Sequence, residues 1–150
     1  MSNEKTVSVL NDLLKITNDR IEGFSKVEHK VWNTYSNLKT DYDRMVSYSQ
    51  DMKSELIEMI KERGGEPEDT TTTVGAIHRA WIDLKNSFSG NKDEATLQNV
   101  VFGEDAAIKV YQNALDSGDL CAESSRKVQD QLHHLKASYN KFENLEHKNM

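Results

Sequence analysis

The 150-residue chain is poor in the residues that cross-link or punctuate a fold: it has one cysteine, one proline and seven glycines. A single thiol, Cys121, excludes an internal disulfide framework and offers no pair of metal-binding thiolates. So few turn formers favour an all-helical chain over the sheet-containing classes. Basic charge is short as well. The 19 Lys and Arg against 25 Asp and Glu leave a net charge of −6, which argues against nucleic acid, whose phosphates reward basic faces. No apolar run approaches the roughly 18–20 residues that span a bilayer, and the first residues lack the apolar core of a signal peptide. A soluble, cytoplasmic protein without a membrane partner is therefore expected. A Gly-rich phosphate loop, a CxxC pair and an ordered Ser-His-Asp set are also missing.

What the chain has is helical periodicity. Its length suits one domain, residues 1–150, with a continuous core. The first helix is predicted from about Thr6 to Trp32, with a seam of Leu10, Leu14, Thr17, Ile21, Phe24, Glu28 and Val31, widened by Leu13 and Val27. The polar step Asn33-Thr34-Tyr35-Ser36 reads as a tight turn with Ser36 as N-cap. A second helix then reaches about Arg63 on Leu38, Tyr42, Met45, Ser49, Met52, Leu56 and Met59, and Gly64-Gly65 stops it. The third, about Lys92 to Asp116, turns Leu97, Val101, Glu104, Ile108, Tyr111 and Leu115 inward. After the turn Ser117-Gly118-Asp119, a fourth from about Leu120 to His147 buries Cys121, Val128, Leu132, Leu135, Tyr139, Phe142 and Leu145.

Between the second and third helices the texture changes. Pro67 and the polar run Glu68 to Thr73 form a loop, and a short helix from Val74 to about Phe88 carries the apolar face Val74, Ile77, Trp81 and Leu84. The pattern predicts two antiparallel hairpins joined by a long connection over residues 66–91 that carries a short extra helix.

Several segments carry a family resemblance. They are Leu10-Asn11-Asp12-Leu13-Leu14, Gly23-Phe24, Gly64-Gly65-Glu66-Pro67, His78-Arg79-Ala80-Trp81-Ile82-Asp83-Leu84-Lys85, and Gly103-Glu104-Asp105-Ala106-Ala107. Tyr111, Ala114-Leu115, Gln131 and Leu145 complete them. In these residues the chain resembles the small bacterial ferritin-like proteins of an uncharacterised domain family. The resemblance implies a ferritin-like four-helix bundle and brings no established activity.

A ferritin-like bundle can host two iron or manganese ions, held by one Glu from each of two helices and a Glu-x-x-His from each of the others. Four carboxylates then neutralise two divalent cations about 3.5–4 Å apart. This chain has no Glu-x-x-His. At that spacing the second helix offers Ser49 and Met52, and the fourth offers Gln131 and His134, where Gln brings no charge. Matching Gly23-Phe24 with Val110-Tyr111 sets Thr17 opposite Glu104, so the first helix leaves its carboxylate slot vacant. Glu28 lies about 16 Å further along the axis, too far to share a metal pair with Glu104.

Glu104, Gln131 and His134 are thus the metal-ligand candidates, and the set is incomplete. A buried carboxylate must still find a partner. The structural alternative has Glu104 accepting hydrogen bonds from Tyr42, Tyr139, Gln131 or His134. The other candidates have plain roles too. Glu28 reaches solvent or a lysine, and His78 beside Arg79 packs or caps. His133 and His134 diverge by about 100° on a helix, and Cys121, although near a helix N-terminus that lowers a thiol's pKa, fills space on the apolar seam as a small hydrophobe. Two functions follow from the residues. The favoured one is a non-catalytic bundle, with no cofactor, that associates with itself as a dimer or with another protein through its acidic faces or the surface around His78 and Trp81. The alternative is an iron- or manganese-binding carboxylate protein of oxidative or general stress.

Overall fold

The computed structural model describes residues 2–24, 36–71 and 93–148, and among these every regular element is helical. Helix α1 runs Ser2–Phe24, a single 3-10 turn spans Ser36–Leu38, α2 runs Lys39–Glu62, α3 Asp93–Asp116 and α4 Ala122–Lys148. The end of the first helix with Val27, Glu28 and Val31, the turn at Asn33 to Tyr35, and the short helix with His78 and Trp81 lie outside the described residues. So do the side chains of Phe24, Leu97 and Leu145.

Helix α2 follows its sequence pattern closely. Tyr42, Met45, Ser49, Met52, Leu56 and Met59 are all buried, joined by Ile60, and steps of four and three keep them on one stripe. Its start differs from expectation. Ser36 opens the 3-10 turn instead of capping the helix, and Leu38 stands at the N-cap with no side-chain hydrogen bond. At the other end Gly64 takes φ +76°, a left-handed conformation that glycine adopts without a Cβ penalty. The turn between α3 and α4 is built the same way, with Gly118 at φ +76° and Ser117 Oγ donating to the Ala114 carbonyl at 2.7 Å.

Helix α3 is rotated slightly from its predicted seam. Ala107 and Ala114 are buried, whereas Val101 and Leu115 are half-buried. On α4, Ser124 and Gln131 join Val128, Leu132, Leu135 and Phe142 in the interior, while Cys121 and Tyr139 are half-buried. The core is one cluster to which all four helices contribute, from Leu10, Leu13 and Leu14 through Leu56 and Tyr111 to Leu135.

Cross-helix contacts run in opposite chain order between α1 and α3 and between α2 and α4. Thr6 of α1 donates to the Asp119 carbonyl, and Arg20 reaches Glu104 at the other end of α1. Arg63 and Asp41, at opposite ends of α2, meet Glu123 and Lys141 of α4. The closest packing is between α1 and α2 and between α3 and α4.

The chain beyond α2 is tied to a second face of α1. Asn11 donates from Nδ2 to the Glu66 carbonyl at 3.2 Å and accepts from the Glu68 N–H at 2.8 Å. Lys15 pairs with Glu68, and Asn18 donates to Asp69 Oδ1 and the Thr70 carbonyl. This face recurs every four or three residues, so α1 presents two stripes: one to the bundle and one to residues 65–71. Val7 begins the second stripe. A Cβ on Gly65 would lie 2.6 Å from Val7 Cγ1, so only glycine lets the chain pass this close. Gly65→Ala should lower unfolding stability by about 1–3 kcal/mol in urea titrations, and adding Val7→Ala should recover part of the loss. Purely additive losses would mean that the two residues do not collide.

Candidate functional site

The interior is crossed by a belt of polar side chains. Thr17 and Arg20 lie one turn apart on the face of α1 that meets α3. Arg20 is 1% exposed and Glu104 of α3 is 0% exposed. Arg20 Nε donates to Glu104 Oε1 at 2.7 Å and Nη2 donates to Oε2 at 3.2 Å. This two-pronged match of planar guanidinium and planar carboxylate is the strongest geometry available to such a pair. Arg20 Nη1 lies 4.0 Å from Met52 Sδ of α2, so three helices meet at this guanidinium.

Two turns from Glu104 on α3, Tyr111 donates its hydroxyl hydrogen to Gln131 Oε1 at 2.8 Å, and Thr17 Oγ1 stands 3.4 Å from the same hydroxyl. Gln131 Nε2 donates to Glu55 Oε1 at 2.9 Å and to the Met52 carbonyl at 3.4 Å, both on α2. Burial pushes the Tyr111 phenol up to about 12, against the opposing pull of Thr17 and Arg20, so it stays a neutral donor. Thr17 donates to its own helix at the Leu13 carbonyl, 2.8 Å away, and Ser49 does the same to Met45 at 2.8 Å.

The expected site residues therefore hold three separate sets of partners. Glu104 is buried as predicted, but its donor is Arg20 and not Tyr42, Tyr139, Gln131 or His134. Gln131 faces the interior, occupied by Tyr111 and α2. His134, one turn later, is exposed and lies against Tyr48 with ring centres 4.1 Å apart. His133 points elsewhere, its ring at 77° to that of His134. Among the described residues no three His, Cys, Asp or Glu side chains are grouped to hold one ion.

The sequence pattern overlooked Arg20. It stands three residues after Thr17, so it shares that seam, but the apolar Ile21 beside it was assigned the inward position. Ile21 is half-buried. The available signal was the carboxylate itself, since a buried Glu on a metal-poor seam requires a cation from a neighbouring helix.

Cys121 also departs from expectation. It occupies the N-cap of α4, half-buried. Arg63 Nε donates to Sγ at 3.2 Å, and Ser124 Oγ lies 3.2 Å from Sγ. Burial pushes the thiol up, but the Ser124 hydroxyl and N–H and the Arg63 guanidinium outweigh it and hold the group at about 7. A thiolate is favoured there.

Two outcomes test these assignments. Arg20→Met or Glu104→Leu alone should cost about 3–5 kcal/mol in chemical denaturation, because each strands a buried charge, while the double variant should cost far less than their sum. Alkylation of Cys121 by iodoacetamide should rise with pH through a midpoint near 7, and Arg63→Gln should move that midpoint upward. An unshifted midpoint would remove Arg63 from the thiol's electrostatics.

The chain matches none of the curated proteins and none of the solved structures with which it was compared. A family model does match, over residues 5–117, a span that holds Arg20, Glu104 and Tyr111 and leaves Gln131 and His134 outside. The chain belongs to the family described as a domain of unknown function, DUF2383.

Proposed function

We propose that this is a ferritin-like, non-catalytic bundle of bacterial, cytoplasmic type, in which an arginine supplies the interior positive charge that metal ions supply in its metal-binding counterparts. The bidentate Arg20–Glu104 pair carries the reading. A permanent guanidinium satisfies both oxygens of the carboxylate that sequence reasoning put first among metal ligands. Loading a divalent ion onto Glu104 would require breaking that pair and leaving Arg20 buried beside a second cation, an unfavourable exchange.

The ferritin-like arrangement has its own support. Opposed chain order between α1 and α3 and between α2 and α4 supports two hairpins joined by a long connection. Residues 65–71 begin it by running along α1 from Val7 towards Asn18. Among the described residues no helix is long and apolar enough to cross a membrane.

A bundle without reaction chemistry acts by association. A homodimer, or a complex with a partner protein, suits its acidic outer surface; the region around His78 and Trp81 is outside the described residues. The test is metal analysis of untagged protein purified without chelator, with sedimentation of the same sample. The reading expects less than stoichiometric iron, manganese and zinc, a melting temperature unmoved by added iron or manganese, and a dimeric mass. Stoichiometric iron or manganese that disappears in Glu104→Gln would overturn it in favour of a di-metal protein of oxidative or general stress.

A further inference from the structure

The antiparallel pair α2 and α4 is the loosest of the neighbouring pairs, and a cavity of about 540 Å³ opens between them. That volume falls within the roughly 300–1,000 Å³ typical of small-molecule sites. Its walls are the N-terminal half of α2 and the C-terminal half of α4, with Met45, Leu135 and Phe142 supplying buried apolar surface. The stacked Tyr48 and His134 close one end.

The charges around it are arranged unevenly. Arg20 lines the cavity and Glu104 does not, so the buried ion pair turns its cationic side towards this space. Three cationic side chains, Arg20, Arg44 and Lys141, line it against two carboxylates, Asp41 and Asp51. Glu104 already balances Arg20, so the cavity carries no excess of negative charge although the chain as a whole has a net charge of −6. Lys141 is engaged by Asp41 at 2.8 Å. Arg44 is exposed at the rim and makes no ion pair among the described residues. Asp51 lies two helical turns from Arg44, about 10 Å along the axis, on the Tyr48 side, so an anion is favoured at one end of the cavity and repelled at the other.

We propose that this cavity binds a small amphipathic organic acid, a monoanion with an aryl or alkyl body. Its head group pairs with Arg44, and its body lies over Met45, Leu135 and Phe142 towards the Tyr48–His134 stack. Apolar burial supplies most of the affinity and the arginine supplies orientation and charge selection. The cavity meets the Arg20–Glu104 pair only through Arg20, and ligand binding there requires no metal.

The test uses the full chain and the fluorescent aryl sulfonate anilinonaphthalene sulfonate, whose emission rises on leaving water. Saturable one-to-one enhancement is expected, displaced by decanoate and about tenfold less effectively by decanol, which has the same body and no charge. Arg44→Gln should weaken decanoate about tenfold and leave decanol unchanged. Ala137→Trp and Ser47→Trp each add bulk from an exposed position on one wall and should abolish the enhancement with helicity and melting temperature retained. Equal displacement by decanoate and decanol would overturn the proposal, as would undiminished enhancement in folded Trp variants. If neither Trp variant folds, the Arg44→Gln comparison decides alone, since that side chain is exposed and unpaired among the described residues.

Discussion

The interior of this bundle depends on one contact between Arg20 and Glu104, a full positive and a full negative charge out of reach of water. Isolated burial of either would be prohibitive. Together, with both carboxylate oxygens engaged, they cost the fold far less. The pair also restricts how α1 and α3 meet. A slide by one residue moves the guanidinium about 1.5 Å along the axis and rotates it by about 100°, which breaks both hydrogen bonds at once. Leucine contacts tolerate such slips far better, since dispersion has little directional preference. The ion pair is therefore better regarded as a register lock than as a store of stability.

Tyr111 and Gln131 extend that lock to the other helices. Tyr111 joins α3 to α4, and Gln131 joins α4 to α2 through a carbonyl and a carboxylate. Each helix thus donates or accepts at one level of the bundle. Arg20 also lines the cavity between α2 and α4, so the polar belt and that cavity share one side chain.

How much of this was legible in the sequence depends on how many partners each helix has. Helix α2 packs one stripe inward, and the pattern of Tyr42, Met45, Ser49, Met52, Leu56 and Met59 named its buried residues except Ile60. Helix α1 was read less completely because it serves two partners. Asn11 is buried on account of a chain segment that no helical period announces, and it hydrogen-bonds there as both donor and acceptor. Arg20 was hidden by its type: a long cation beside Ile21 is ordinarily assigned to the surface. The positions of Glu104 and Gln131 were legible as inward-facing, but their partners were not, since which side chains meet is set by helix register across the bundle. Cys121 was legible as an N-terminal residue of α4. The nearness of Arg63, 58 residues earlier in the chain, was not.

The charge count explains why Gln131 is an amide. Glu104 already holds the buried guanidinium in two hydrogen bonds, so a glutamate at position 131 would add a further carboxylate to the interior. It would also lose the N–H donors that reach Met52 and Glu55, turning a donor facing the Glu55 carboxylate into a like charge. An amide accepts from Tyr111 with one end and donates to α2 with the other, the only common side chain of that length able to do both without charge. The amide at Gln131 therefore joins Tyr111 to α2 without adding a further charge beside the Arg20–Glu104 pair.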